Sequence, residues 1–250
     1  MKINSANHFE CLPACILFDL DNTLYEYNRP HEKALVAVSD KLHHMFSIHP
    51  KHFSEIYIKA RLEIKARLIN TAASHSRLLY FQKCLEIMGL GSQPLLALDL
   101  EQSYWISFLK HAELFDGVKE FLDSIRLLGI PSVIVTDLTA QIQFKKITYF
   151  QLDRYFDYVV SSEESGADKP SKNIFELALE KVAYTSGPIW MIGDDAAKDI
   201  AGSKSAINAI TLQKINNSLY KDQESIVPDI LFKDFEDLRH FVVKIQPDAK

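Results

Sequence analysis

Four short runs of the chain are apolar at nearly every position and stop abruptly at polar residues: Cys15–Phe18, Ser132–Thr136, Tyr158–Ser161 and Ile189–Ile192. Runs of this length, rich in Val, Ile, Phe or Cys, predict strands of a parallel sheet covered on both faces. Two weaker candidates follow at Ala209–Leu212 and Asp229–Phe232. Between the strands, apolar residues recur at helical spacing. Val118, Leu122, Ile125 and Leu128 precede a Gly129-Ile-Pro131 break; Ile142, Ile147 and Phe150 mark a second helix; Ile174, Phe175, Leu177, Leu179 and Val182 mark a third. Strand and helix alternate from about residue 113 onward, which predicts crossover units and a doubly wound, mostly parallel α/β sheet.

The stretch from about residue 30 to 111 breaks that alternation. It holds four helix-like blocks and no convincing strand. One stripe runs through Leu35, Val38, Leu42 and Met45/Phe46, and a second through Phe53, Ile56 and Ile58 with Leu62. A third joins Leu78, Phe81, Leu85 and Met88 before Gly89-Leu-Gly91, and a fourth has Trp105, Phe108 and Leu109. Such stripes are ordinarily core packing. The economical arrangement is an all-helical insertion between the first strand and the remainder of the sheet. The closing "QPDAK" is expected to fray.

Composition narrows the class. The chain has 250 residues, enough to bury a substantial core, with 47% hydrophobic and 24% charged residues and a net charge of -5. That balance, without a long block of either sign, argues against nucleic acid held by bulk electrostatics. No apolar run approaches the roughly 20 residues that span a bilayer. The opening "MKINSANHFECLPA" lacks the charged-then-apolar layout of a secretory signal, so a cytoplasmic location is expected. Cys11, Cys15 and Cys84 form neither a disulfide framework nor a zinc pattern and read as reduced thiols.

The chemistry gathers at strand ends. "CILFDLDNTLY" ends its apolar run in Asp19 and Asp21, two apart, so both face one spot beyond the tip if the chain stays extended. In open α/β sheets ligands bind there. "VIVTD" ends the next strand in Thr136 and Asp137, "ADKPSKNIF" offers Lys169 before a helix, and "WMIGDDAAKD" ends another strand in Asp194 and Asp195, with Asp199 further on. Taken singly, Thr136 would cap a turn, Lys169 would be a solvated lysine, and Asp195 would cap a helix as readily as touch a site. Two carboxylates at the end of an apolar strand are costly without a cationic partner.

Together these motifs resemble those of the haloacid dehalogenase superfamily, most of whose members are phosphatases. The counterparts are Asp19-Leu-Asp21-Asn-Thr23, Thr136, Lys169 with Pro170, and Gly193-Asp194 with Asp199. The resemblance implies a Rossmann-like α/β catalytic core over residues 1–28 and 112–250, with a helical cap over 29–111. It further implies hydrolysis of a small-molecule phosphate monoester, a sugar phosphate, a nucleoside monophosphate or a phosphoglycolate-like acid, through an aspartyl phosphate. Asp19 resembles the nucleophile and Asp21 the general acid/base. Thr136 would bond a phosphoryl oxygen and Lys169 would hold the nucleophile. Mg²⁺ would sit on Asp19, Asp194 and the backbone carbonyl of Asp21, supported by Asp199 and Asp195. Coulomb's law points the same way. At an effective dielectric of 20, a phosphate dianion would meet each carboxylate with about 4 kcal/mol of repulsion per unit charge at 4 Å. A hard divalent cation with oxygen ligands offsets that better than one lysine.

Asp137 stands where many relatives carry Asn, and if its side chain turned toward the phosphate among the substrate-binding groups it would add repulsion. Two competing functions remain. A dehalogenase needs no second carboxylate, because halide leaves without a proton, so Asp21 favours ester hydrolysis. A catalytically silent binding protein would not need all four motifs. Tyr25, Tyr27, Arg29 and His31 could line an entrance, and Arg61 and Arg67 could meet a second anionic group, although such residues are ordinarily solvated helix faces. Neither the substrate nor the oligomeric state is legible.

Overall fold

The computed structural model describes residues 1–5, 9–216 and 226–245. The closing 246–250, expected to fray, lies outside the described residues. Seven strands form one sheet: β1 (Lys2–Ile3), β2 (Cys15–Phe18), β3 (Ser132–Thr136), β4 (Tyr158–Ser161), β5 (Ile189–Gly193), β6 (Ile210–Lys214) and β7 (Ile230–Phe232). Their spatial order is β1-β7-β6-β5-β2-β3-β4, parallel throughout except for β1 against β7. The fold is thus the doubly wound α/β class that the alternation predicts. Two differences are instructive. β1 pairs only Lys2 and Ile3 at an edge, too short to leave a hydrophobic pattern. β6 runs on through Gln213 and Lys214, polar residues that are nonetheless buried.

The chain proceeds outward from β2 to β3 and β4, then returns to β5 on the other flank of β2. Strand order therefore reverses between β2 and β5, and the crevice beyond their carboxyl ends is the place where such sheets bind ligands. Side chains of β2 alternate between two packed layers. Cys15 and Leu17 join Val133, Val135, Met191 and Phe175 in one core. On the other face, Phe18 meets Phe121 edge to face, and Phe121 meets Phe235. The covering helices include α5 (Val118–Leu127), α6 (Ala140–Tyr149), α7 (Ser162–Ser165), α8 (Lys172–Lys181), α9 (Gly202–Ile207) and α10 (Phe235–Ile245).

The chain divides into two compact units, one of residues 1–25 with 114–250, the other of residues 26–113. The second is all-helical: α1 (Asn28–Phe46), α2 (Pro50–Arg67), α3 (Arg77–Ile87) and α4 (Pro94–His111). Pro50 and Pro94 open their helices where a missing N–H costs nothing, and the Ser76 hydroxyl caps α3 by accepting from the Leu79 amide. The buried stripes differ from the simple hydrophobic pattern. α1 buries Ala34, Val38 and Leu42, whereas Met45 and Phe46 are exposed. α2 buries Phe53, Ile56, Tyr57, Ala60 and Ile64, leaving Ile58 and Leu62 to solvent. Tyrosine and alanine complete that face, and hydropathy alone undervalues both.

In the α/β unit, the residues flanking the insertion are tied together. Tyr25 and Leu114 form an antiparallel bridge, and the Phe115 amide donates to the Leu24 carbonyl.

Leu17→Ala, at a fully buried position of the central strand, should lower unfolding free energy by about 2–5 kcal/mol. Leu127→Ala, at a residue 89% exposed, should change it by less than about 0.5 kcal/mol. Denaturant midpoints check both.

Candidate active site

At the tip of β2 the Asp19 amide donates to the Ile192 carbonyl, carrying the β2–β5 pairing one residue further. Leu20 is buried beneath the turn, and Asn22 takes a left-handed conformation (φ 64°) that asparagine tolerates better than most residues. The turn folds Thr23 back onto the strand tip. Its hydroxyl donates to Asp19 Oδ2 at 2.7 Å and lies 3.5 Å from Asp194 Oδ1.

Lys169 is the hub of the cluster. Its buried ammonium donates to Asp19 Oδ1 (2.7 Å), Asp199 Oδ1 (2.7 Å) and the Val135 carbonyl (3.1 Å), which uses all three N–H groups. Asp199 is equally committed, because its Oδ2 accepts from the Asp195 amide at 3.0 Å. This approach requires glycine at 193: a Cβ there would lie 2.4 Å from both Cβ and Oδ2 of Asp199. Asp195 turns away and caps the π-type turn Ala196–Ala201, accepting from the amides of Ala197 and Lys198.

Three carboxylates thus face one ammonium. Burial, opposed by Lys169 and assisted by Asp199 and Asp21, pushes the Asp19 carboxyl up to about 7. Burial and the neighbouring Asp19 and Asp199 hold Asp194 well above the usual carboxylate range. Lys169 is pulled down by burial, but Asp19, Asp199 and Asp137 outweigh that and keep it firmly protonated. Oxygens of Asp19, Asp194 and Asp199 lie within 4.8 Å of one another. An all-oxygen set with excess negative charge suits Mg²⁺. Asp194 is the freest of the three, since among the described residues its carboxylate carries no hydrogen bond closer than the 3.5 Å contact with Thr23.

Thr136, at the tip of β3, accepts at Oγ1 from Gln143 Nε2 (2.7 Å), and its own hydroxyl reaches the Asp137 carbonyl only at 3.4 Å. Both carboxylate oxygens of Asp137 have donors, the Lys169 amide at 2.9 Å and Lys198 Nζ at 2.7 Å. Asp21 is gripped by Lys146, whose ammonium donates at 2.8 Å to each carboxylate oxygen, and by the Tyr25 hydroxyl.

Lys146, Gln143 and Lys198 belong to none of the four motifs. For Lys146 a signal existed. It sits midway between Ile142 and Phe150, four residues from each, so it falls within the apolar stripe of α6 and is fully buried. Arg29, Arg61 and Arg67, by contrast, are exposed.

The family model for haloacid dehalogenase-like hydrolases matches residues 13–206. The chain belongs to that family. It is 35% identical to a ribulose-1,5-bisphosphate 5-phosphatase from Halopiger xanaduensis over 82% of this chain and 84% of the relative. Identity to the human N-acylneuraminate-9-phosphatase is 26%, over 85% of this chain and 87% of the relative. Among solved structures, a phosphatase of the family from Thermococcus onnurineus superposes with a TM-score of 0.70 at 21% identity, covering 91% of this chain and 97% of that one. The chain is accordingly a family phosphoric monoester hydrolase. No helix among the described residues is long and apolar enough to cross a membrane.

Asp21→Ala strips the buried Lys146 ammonium of its carboxylate and should cost about 3 kcal/mol of stability. Adding Lys146→Met should recover part of that loss. A double-mutant cycle in urea measures both.

Proposed function

We propose that this hydrolase removes phosphate from a small sugar phosphate or similar metabolite, using Mg²⁺ and an aspartyl-phosphate intermediate on Asp19. The observation that carries this reading is the meeting of Asp19, Asp194 and Asp199 around Lys169 at the reversal point of the sheet.

Asp19 attacks phosphorus, and the ester oxygen departs with the proton that Asp21 supplies. Asp21 then accepts a proton from the water that hydrolyses the acyl phosphate, which returns Asp19 to its free form. Lys169 orients the Asp19 carboxylate through Oδ1 and Thr23 through Oδ2. Thr136 accepts from Gln143, which leaves its hydroxyl proton to bind a phosphoryl oxygen. Asp137 braces Lys169 and Lys198 and keeps its charge turned onto them. Asp199 sets Lys169 from the far side, and Asp195 shapes the turn that presents Asp199. Mg²⁺ held by Asp19, Asp194 and the Asp21 carbonyl would supply the positive charge that admits a phosphate dianion among these carboxylates. Lys146 and Tyr25 fix the orientation of Asp21. The presence of Asp21 favours an alkoxide leaving group over halide.

The all-helical unit acts as a cap, which limits substrates to small diffusible molecules. The named relatives act on a pentose bisphosphate and on a sialic acid phosphate, and a phosphorylated sugar or sugar acid is the substrate class we assign.

With an aryl phosphate, hydrolysis should require Mg²⁺ and stop with EDTA. Asp19→Asn should lower kcat by more than about 10³-fold. Activity untouched by that substitution, or halide release from 2-haloacids without phosphate release from any ester, would refute the assignment. A panel of phosphorylated sugars and sugar acids should give the highest kcat/KM.

A further inference from the structure

The tip of β6 carries a buried cation that no catalytic step above uses. Lys214, the last residue of that strand, is 6% exposed, and among the described residues no carboxylate forms an ion pair with it. Its ammonium donates to the Ile215 carbonyl at 3.2 Å and to Asn216 Oδ1 at 3.1 Å, and it lies 4.2 Å from the ring centroid of Phe115. Burial pulls it below the usual lysine range, against the attraction of Asp234 and Asp194. A methionine at that depth would carry no such penalty.

Asn216 links this lysine to the turn beyond β2. Its Nδ2 donates to the Asn22 carbonyl at 2.7 Å. Asn22 stands between Asp21 and Thr23 in the left-handed conformation, which a non-glycine residue keeps only when its surroundings hold it. Fixing the Asn22 carbonyl fixes the rigid peptide plane between Asn22 and Thr23, and so the directions in which Asp21 and the Thr23 hydroxyl leave the turn. The support is itself firm, because the Ile215 amide donates to the Phe232 carbonyl at 2.8 Å and so continues the sheet ladder. All of these groups belong to the α/β unit.

A carboxamide has two ends of similar shape and opposite hydrogen-bonding sense. An ammonium can only donate, so Lys214 holds Oδ1 toward itself and leaves Nδ2 toward Asn22. Without it the amide is free to turn over and set Oδ1 against the Asn22 carbonyl, acceptor against acceptor.

We propose that Lys214 is a positioning residue for ester hydrolysis: through Asn216 it fixes the turn that presents Asp21 and Thr23. This inference rests on the reading above in which Asp21 gives its proton to the leaving oxygen. The effect then depends on the leaving group. Phenolate, as basic as a tyrosine side chain with a pKa of about 10, needs that proton far more than the stabilised p-nitrophenolate does.

The test compares kcat/KM for phenyl phosphate and p-nitrophenyl phosphate. Lys214→Met should lower it about tenfold or more on the first and about threefold or less on the second, while the urea midpoint stays level or rises. Lys214→Arg, which also only donates, should recover most of the loss. Asn216→Asp, which has no N–H to give, should match Lys214→Met, and it serves at its half-buried position if Lys214→Met does not fold. The double variant should lose no more than either single one. Asp21→Asn on the same two esters tests the acid reading by itself. Where Asp21→Asn discriminates between the esters, equal losses in Lys214→Met, no loss, or additive losses in the double variant overturn the proposal. Equal losses beside a fallen midpoint identify a merely structural lysine. Hydrogen exchange of the Asn216 side-chain amide, followed by NMR of ¹⁵N-labelled protein, keeps the two readings apart. Exchange should be slow in the wild type and about tenfold faster or more in Lys214→Met. That acceleration with a loss of turnover supports the positioning role even if Asp21→Asn shows no leaving-group effect. An amide indifferent to Lys214 overturns it even if Asp21 proves to be the acid.

Discussion

One ammonium group organises the carboxylate cluster at the tip of the sheet. Lys169 reaches into a space where Asp19, Asp194 and Asp199 converge, and it spends every hydrogen on two of those carboxylates and one carbonyl. Neither part is tolerable alone: unpaired carboxylates at that depth would take up protons, and an unpaired lysine would lose one. Even so the balance is incomplete, since burial still lifts Asp19 and Asp194. That residue of negative charge is the reason a divalent cation fits the cluster.

The sheet makes the convergence possible. Asp19, Thr136 and Asp194 arrive from three adjacent strands whose registers bring their carboxyl ends level. Around them the neighbours are held by partners of their own. Asp137 is turned onto Lys198, Asp21 onto Lys146, and Asp195 onto the turn that begins the next helix. The cluster is therefore a set of charge pairs, each restricting the next, and the directions of its polar groups are already set.

Much of this could be read from the sequence, and the exceptions have physical causes. Buried parallel strands are apolar on both faces, so β2 through β5 stood out as unbroken runs ending at chemistry. β1 is two residues long, and β6 ends in Gln213 and Lys214, whose polar tips find the Asp194 carbonyl and Asn216 after their stems are buried. Strand-end carboxylates were visible because charge beside an apolar run is conspicuous. Lys146 and Arg77 were not, because a lone cation on a helix is ordinarily solvated. In the helical unit Arg61 and Arg67, the sequence's candidates, face water, while Arg77 lies among tyrosines. Spacing could have exposed Lys146, which interrupts an apolar stripe; nothing comparable marks Arg77, whose cage is drawn from three separate helices and the residue preceding α1.

The seam formed by the Tyr25–Leu114 bridge and the Leu24–Phe115 bond closes the α/β unit on itself. The backbone leaves and re-enters through one doorway, already stitched. Whatever is spliced there, whether these four helices, another module or a tight hairpin, makes no demand on the sheet's own ladder. The insertion and the sheet can consequently change as separate cassettes.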